Sequence, residues 1–112
     1  MGIQNQLENV LYVELPSESL QIADELKALN DAVTKRDDCD VIIDFSKVEI
    51  INSSNISNLL ILRGLLQDKG RRLIFCSMST VTRCIFVVAG LADAFVFIDD
   101  KFAALEAVKG SD

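Results

Sequence analysis

Residues 40–70 read DVIIDFSKVEIINSSNISNLLILRGLLQDKG, and the order of polar and apolar residues in this stretch decides the fold class. Val41-Ile42-Ile43-Asp44-Phe45 is short, nearly all apolar and β-branched at its centre. A strand covered by helices on both faces has that composition, because neither face meets water. Ser46 to Ile51 leads out of it, and Ile50-Ile51 is apolar enough to stay tucked against the core. From about Ser54 to Lys69, Ile56, Leu59, Leu60, Leu62, Leu65 and Leu66 make a broad apolar surface at helical spacing, which predicts a largely buried helix. Gly70 stands where a helix end takes positive φ at little cost.

The flanking segments repeat the pattern. Val10 to Leu15 predicts a strand, ended by Pro16, which cannot donate to a ladder. Residues 3–7 offer a weak edge strand before it. Ile22, Leu26, Leu29 and Val33 recur on one helical face, predicting a helix from Ser19 to Lys35 with Lys35-Arg36 in its last turn. Arg36 to Asp40 reads as a polar surface loop. Leu73 to Cys76 predicts a second buried strand. Ser77 to Thr80 supplies hydroxyl caps for a helix whose apolar face is Val81, Cys84, Ile85 and Val88 and which Gly90 stops. Phe95 to Ile98 predicts the last strand. Asp99 or Asp100 caps a final helix through Val108, closed by Gly110.

Strands and helices therefore alternate, which predicts an α/β layer structure with parallel neighbouring strands. In such sheets partners meet the loops at the carboxyl ends of the strands, and that edge includes the loop 46–55. The length suits one domain over residues 1–112, with its core at about 10–108.

Composition narrows the chemistry. The net charge is −6, with 11 basic residues against 17 acidic ones and no histidine. Nucleic-acid binding needs basic groups to displace counterions from phosphates, so no nucleic-acid partner is expected. The one dense basic spot, Lys69, Arg71 and Arg72, follows a helix end, where cations are favoured anyway. Arg63 and Arg83 are expected to be solvated. Cys39, Cys76 and Cys84 form no C-x-x-C pair, and without histidine a zinc site falls one ligand short. They are expected to be small buried hydrophobes in a reducing compartment, with no metal and no cofactor. The start of the chain has no secretory pattern, and no apolar run approaches bilayer length. A cytoplasmic location without membrane insertion is the expectation. With no histidine there is no Ser-His or Cys-His arrangement, and no phosphate-cradling glycine loop is present, so no catalytic residue is expected. Asp44 is expected to fix the loop 46–55 by accepting backbone hydrogen bonds.

The unusual segment is Asn52-Ser53-Ser54-Asn55-Ile56-Ser57-Asn58. One cap satisfies a helix start, yet six of these seven residues are small and polar. Backbone N–H groups and the dipole at a helix N-terminus favour negative charge. A phosphoserine here would add about −1.5 to −2 charge. This chain would tolerate the group, but a partner burying the hydroxyl against apolar or acidic surface would not. That asymmetry is what a binding switch requires. Asn52, Ser53, Ser54, Asn55, Ser57 and Asn58 are thus candidate partner-binding residues.

Asp40 to Val48, followed by Ile51-Asn52-Ser53-Ser54, resembles the signature of the STAS domain family, anti-sigma factor antagonist type. In that family a strand ending in Asp-Leu-Ser leads to a turn of Asp-Ser-Ser-Gly or Asp-Ser-x-Gly that opens a helix. Lys69-Gly70-Arg71-Arg72-Leu73 resembles the family's entry to the next strand, Ala89-Gly90-Leu91 its Thr-Gly-Leu helix end, and Phe95 to Asp100 its final strand and acidic turn. The likeness runs from about Val10 to Val108. It implies a small βα superhelix with a mixed sheet of four to five strands packed with about four helices. It also implies docking on a serine-kinase anti-sigma factor, phosphorylation at the position of Ser53, with Ser54 second, and resetting by a phosphatase. Two departures stand out: Asn52 replaces the family's Asp, and Asn55 its Gly. They favour an alternative, an unphosphorylated STAS interaction subunit of a signalling scaffold or membrane transport complex. The oligomeric state is left open.

Overall fold

The computed structural model describes residues 3–7, by backbone alone, and 9–109. The elements are β1 (Ile3–Leu7), β2 (Val10–Glu14), α1 (Ser19–Thr34), β3 (Asp40–Asp44), α2 (Ser53–Asp68), β4 (Leu73–Cys76), α3 (Thr80–Val88), β5 (Val96–Ile98) and α4 (Lys101–Lys109). The strands lie in sequence order, β1-β2-β3-β4-β5. β1 runs antiparallel to β2 and the other three pairs are parallel, so the sheet is mixed, as expected. Gly110 lies outside the described residues.

The pleat sorts the core into two layers. Val41, Ile43 and Phe45 face α1, α2 and α3, together with Leu11, Val13 and Phe75. Ile42 faces α4, with Tyr12, Ile74, Cys76, Ala104 and Val108. β3 is buried along its whole length, which is why its apolar run is continuous. Ile22, Leu26, Leu29 and Val33 of α1 are all buried. Phe75 is the hub of the aromatic packing, with ring centroids 4.9 Å from Phe45, 5.9 Å from Phe86, 4.6 Å from Phe95 and 5.7 Å from Phe97.

Several expectations are corrected. Arg36 to Asp40 is not wholly a surface loop: Cys39 and Asp40 are buried, and β3 begins at Asp40. The reason is electrostatic. Asp40 Oδ1 accepts the Arg72 N–H at 2.9 Å and lies 3.1 Å from Arg71 Nε, and Oδ2 lies 3.4 Å from Arg72 Nη2. Arg72 also donates to the Ala107 and Val108 carbonyls at the end of α4, at 3.0 Å each. The dense basic spot is thus largely built into the fold. Lys35 and Arg36 fall beyond α1, which ends at Thr34. The cation that serves α1's carbonyl end is Lys69, which donates to Val33 O at 2.8 Å, Thr34 O at 3.3 Å and Arg36 O at 2.9 Å. Gly70 takes φ 68°, and Arg71 N returns to Leu66 O at 2.9 Å.

Arg63 is half-buried rather than simply solvated, its Nε donating to Ala94 O at 2.6 Å. Arg83 is exposed but stacks over the Phe97 ring, 4.7 Å from its centroid. α2 is less buried than its sequence suggests: Leu59, Leu62 and Leu66 are enclosed, while Leu60 and Ile61 are exposed. The largest reversal is α3. Its buried residues are Thr82 and Phe86, whereas Val81 is 67% exposed and Val88 88% exposed. Among the described residues, no helix is long and apolar enough to cross a membrane.

Candidate functional site

The site is built from the end of β3 outward. Asp44 is buried beneath the loop that follows it. Its Oδ1 accepts the Ser46 N–H at 2.7 Å and its Oδ2 accepts the Tyr12 hydroxyl. The carboxylate thus ties the first loop residue to β2, the role expected of it. Burial and the hydrogen bond to Asp44 push the Tyr12 hydroxyl's pKa far above its ordinary value, so it remains a donor. Val48 N donates to Phe45 O at 3.0 Å, and Val48 and Ile51 are buried. Ile50 is 61% exposed, contrary to expectation, while its neighbour Ile51 is buried.

Asn52 ends the loop as the N-cap of α2, its Oδ1 accepting the Asn55 N–H at 2.8 Å. An aspartate there would accept the same bond, so the substitution keeps the cap and drops the charge. The helix opens at Ser53, one residue earlier than expected. Ser53 and Ser54 occupy its first two positions and are exposed, and Ser57 is exposed one turn on. Asn52 is exposed beside them.

Asn55 belongs elsewhere. It is 0% exposed, and its Nδ2 lies 3.4 Å from Ser19 O at the start of α1. A partner cannot reach it, so its candidacy as a binding residue is corrected: it packs α2 against α1. It lies inside the helix and has no positive φ, so glycine is not needed there for backbone freedom. Asn58 is half-buried, and its backbone carbonyl accepts from Asn30 Nδ2 of α1 at 3.4 Å. The structure therefore leaves Asn52, Ser53, Ser54 and Ser57 exposed around the start of α2, with Asn55 buried and Asn58 half-buried.

Beside Ser53 lies a feature that the sequence reading missed. Ile51, Ile56, Cys84, Ile85 and Val88 join Ser53 around an open cleft of about 450 Å³, lined almost wholly by apolar atoms. Its far wall is the outward face of α3, the stripe assigned above to the core. A signal was present. The nine residues TVTRCIFVV hold a single charge, so a helix packed on one side would expose apolar groups on the other. Within α2 up to Gln67, and within α3, the only charged residues are Arg63 and Arg83.

The cysteines divide with this geometry. Cys84 is exposed at the cleft, against the expectation of burial, while Cys39 and Cys76 are buried. Burial, then the hydrogen bond with Asp38, raises the Cys39 thiol above its ordinary pKa. Burial, with the Asp44 carboxylate adding to it, pushes the Cys76 thiol up to about 11. A chromogenic disulfide reagent at mildly alkaline pH is therefore expected to titrate one thiol in the native chain and all three cysteines after denaturation. Fast reaction of more than one native thiol would contradict this burial pattern.

The model of the family described as "STAS domain" matches residues 5–105. No curated protein matches the chain. Among solved structures, the anti-sigma factor antagonist SpoIIAA in its unphosphorylated form is similar, with a TM-score of 0.82 and 17% identity over 98% of this chain and 96% of that one. The phosphorylated form of SpoIIAA, a Bacillus cell fate determinant, gives 0.76 and 17% over 95% and 96%. A sulfate transporter family protein from Wolinella succinogenes gives 0.78 and 19% over 95% and 89%. At these identities the likeness is one of fold.

Proposed function

The chain belongs to the STAS domain family, and from that premise we propose that it is a regulatory binding domain of the anti-sigma factor antagonist type. It docks on a serine-kinase anti-sigma factor in the cytoplasm, performs no catalysis itself, and is released when that kinase phosphorylates Ser53, with Ser54 the second choice. A phosphatase resets it. Residues 1–112 form one domain in this reading.

One observation carries the proposal: the Ser53 side chain is exposed on the rim of an apolar cleft. A partner that fills the cleft desolvates the rim. A neutral hydroxyl tolerates this, because it needs only one or two hydrogen bonds. A phosphate of about −1.5 to −2 charge does not, since a desolvated, unpaired charge is costly. In the free chain the same phosphate stays in water beside the N–H groups that open α2.

Ser53→Glu is expected to weaken binding to the cognate kinase by about a hundredfold, and Ser53→Ala by no more than about threefold, in calorimetric titration. Incubation with that kinase and ATP should place label on Ser53. Unchanged affinity in both Ser53→Glu and Ser54→Glu, or label that survives Ser53→Ala with Ser54→Ala, would overturn the switch.

A second reading keeps the docking cleft and drops the phosphorylation: an interaction subunit of a signalling scaffold or membrane transport complex. The neutral Asn52 cap favours it, and so does the fold shared with a sulfate transporter family protein. It calls for partner binding that is lost on blocking Cys84 yet unmoved by charge at Ser53.

A further inference from the structure

A second cleft lies at the opposite end of α2, where that helix meets β5. It has a volume of about 160 Å³ and shares no lining residue with the cleft at Ser53. Two arginines face it, Arg63 and Arg71, together with Leu66, Gln67, Phe95 and Val96, and its lining contains no carboxylate.

The local charge is out of balance. The chain as a whole carries −6, yet Arg71 and Arg72 share the single Asp40 carboxylate. Asp40 Oδ1 already accepts the Arg72 N–H at 2.9 Å. Arg71 Nε lies 3.1 Å from that oxygen, but it is buried and has no aligned acceptor among the described residues. Arg63 Nε donates at 2.6 Å to the Ala94 carbonyl, which is neutral. Two half-buried cations therefore border one small space with less than one full counter-charge between them. Both keep part of their surface in water, so an anion can reach them, and in the cleft it would meet two cations at once. Guanidinium forks match the oxygens of phosphate and sulfate, and the Gln67 amide adds a further donor. Pockets for drug-sized ligands start at about 300 Å³, so this cleft suits a single group and not a nucleotide.

We infer that the cleft between Arg63 and Arg71 binds one tetrahedral oxyanion: inorganic phosphate or sulfate, or a phosphoryl group carried on a larger molecule. The site is independent of the switch proposed at Ser53.

The test is a titration of the full chain with sodium phosphate, sulfate, O-phosphoserine and chloride at equal ionic strength, following the arginine Nε–H resonances by NMR. Phosphate or sulfate should shift Arg63 and Arg71 saturably, leave Arg83 in place, and outcompete chloride. Arg63→Gln and Arg71→Gln should each weaken the binding about ten- to a hundredfold. Arg71 also contacts Asp40, so Arg63→Gln decides the matter if Arg71→Gln fails to fold. Tighter binding of free phosphate assigns the site to the free ion, and tighter binding of O-phosphoserine assigns it to a phosphorylated partner. Equal response to chloride and phosphate, or joint drift of Arg83 with the other two, overturns the inference. None of these outcomes bears on Ser53.

Discussion

Phe75→Ala is expected to lower the free energy of unfolding by about 3–5 kcal/mol, the usual cost of emptying an aromatic position in a core. Phe75 is 0% exposed and sits on β4 with four other phenylalanine rings within 5.9 Å, centroid to centroid. Two of these, Phe45 and Phe97, follow or belong to neighbouring strands, and Phe86 comes from α3. The cavity is therefore walled by several elements that cannot all collapse inward together. Domains of this size are stable by about 5–15 kcal/mol in total, so the variant should sit near the edge of folding. Urea denaturation measures the change. A loss below about 1 kcal/mol would show that the ring cluster does not hold the α3 side of the sheet.

Asp40→Asn is expected to cost about 2–3 kcal/mol. Breaking a buried ion pair typically costs about 3–5 kcal/mol, and the figure here is lower because Arg71 and Arg72 retain 30% and 39% side-chain exposure. The asparagine keeps an acceptor for the Arg72 N–H but loses the charge that holds two guanidinium groups. One of these clamps the end of α4 through the Ala107 and Val108 carbonyls. α4 should loosen first, visible as faster amide exchange in that helix, and added phosphate should restore part of the loss by taking over as counter-ion to Arg71. Stability and α4 exchange equal to those of the parent chain would show that the carboxylate is not the keystone of this corner.

The fold was legible where apolar spacing and chemical necessity agree. Val41 to Phe45 is apolar on both faces because helices cover both, and Gly70 follows α2 because its φ is positive. The alternating order of elements left few other ways to bury four such helices. The polar run at 52–58 was legible as a site because a helix start needs one cap and this one holds a surplus. Within the run, burial could not be assigned. Asn55 and Ser57 are both polar, yet only the first faces α1.

By itself the chain of residues determined the order of elements from β2 onward, the parallel pairing of their strands and the position of the hydroxyl-rich helix start. These follow from local periodicity and from backbone rules that act within a few residues. Tertiary structure alone decided which of α3's two apolar faces goes inward, and so whether Ser53 borders water or a cleft. Phe86 and Val88 are both apolar and two positions apart, so they lie on different faces of the helix, and Phe86 is the one that packs on Phe75 on the inner face of the sheet. It likewise decided that Lys69 and Arg72 serve distant carbonyl ends while Arg63 and Arg71 share a space. Charge far apart in sequence finds its partner only when packing sets the distance, and Coulombic attraction is strong only at that short range.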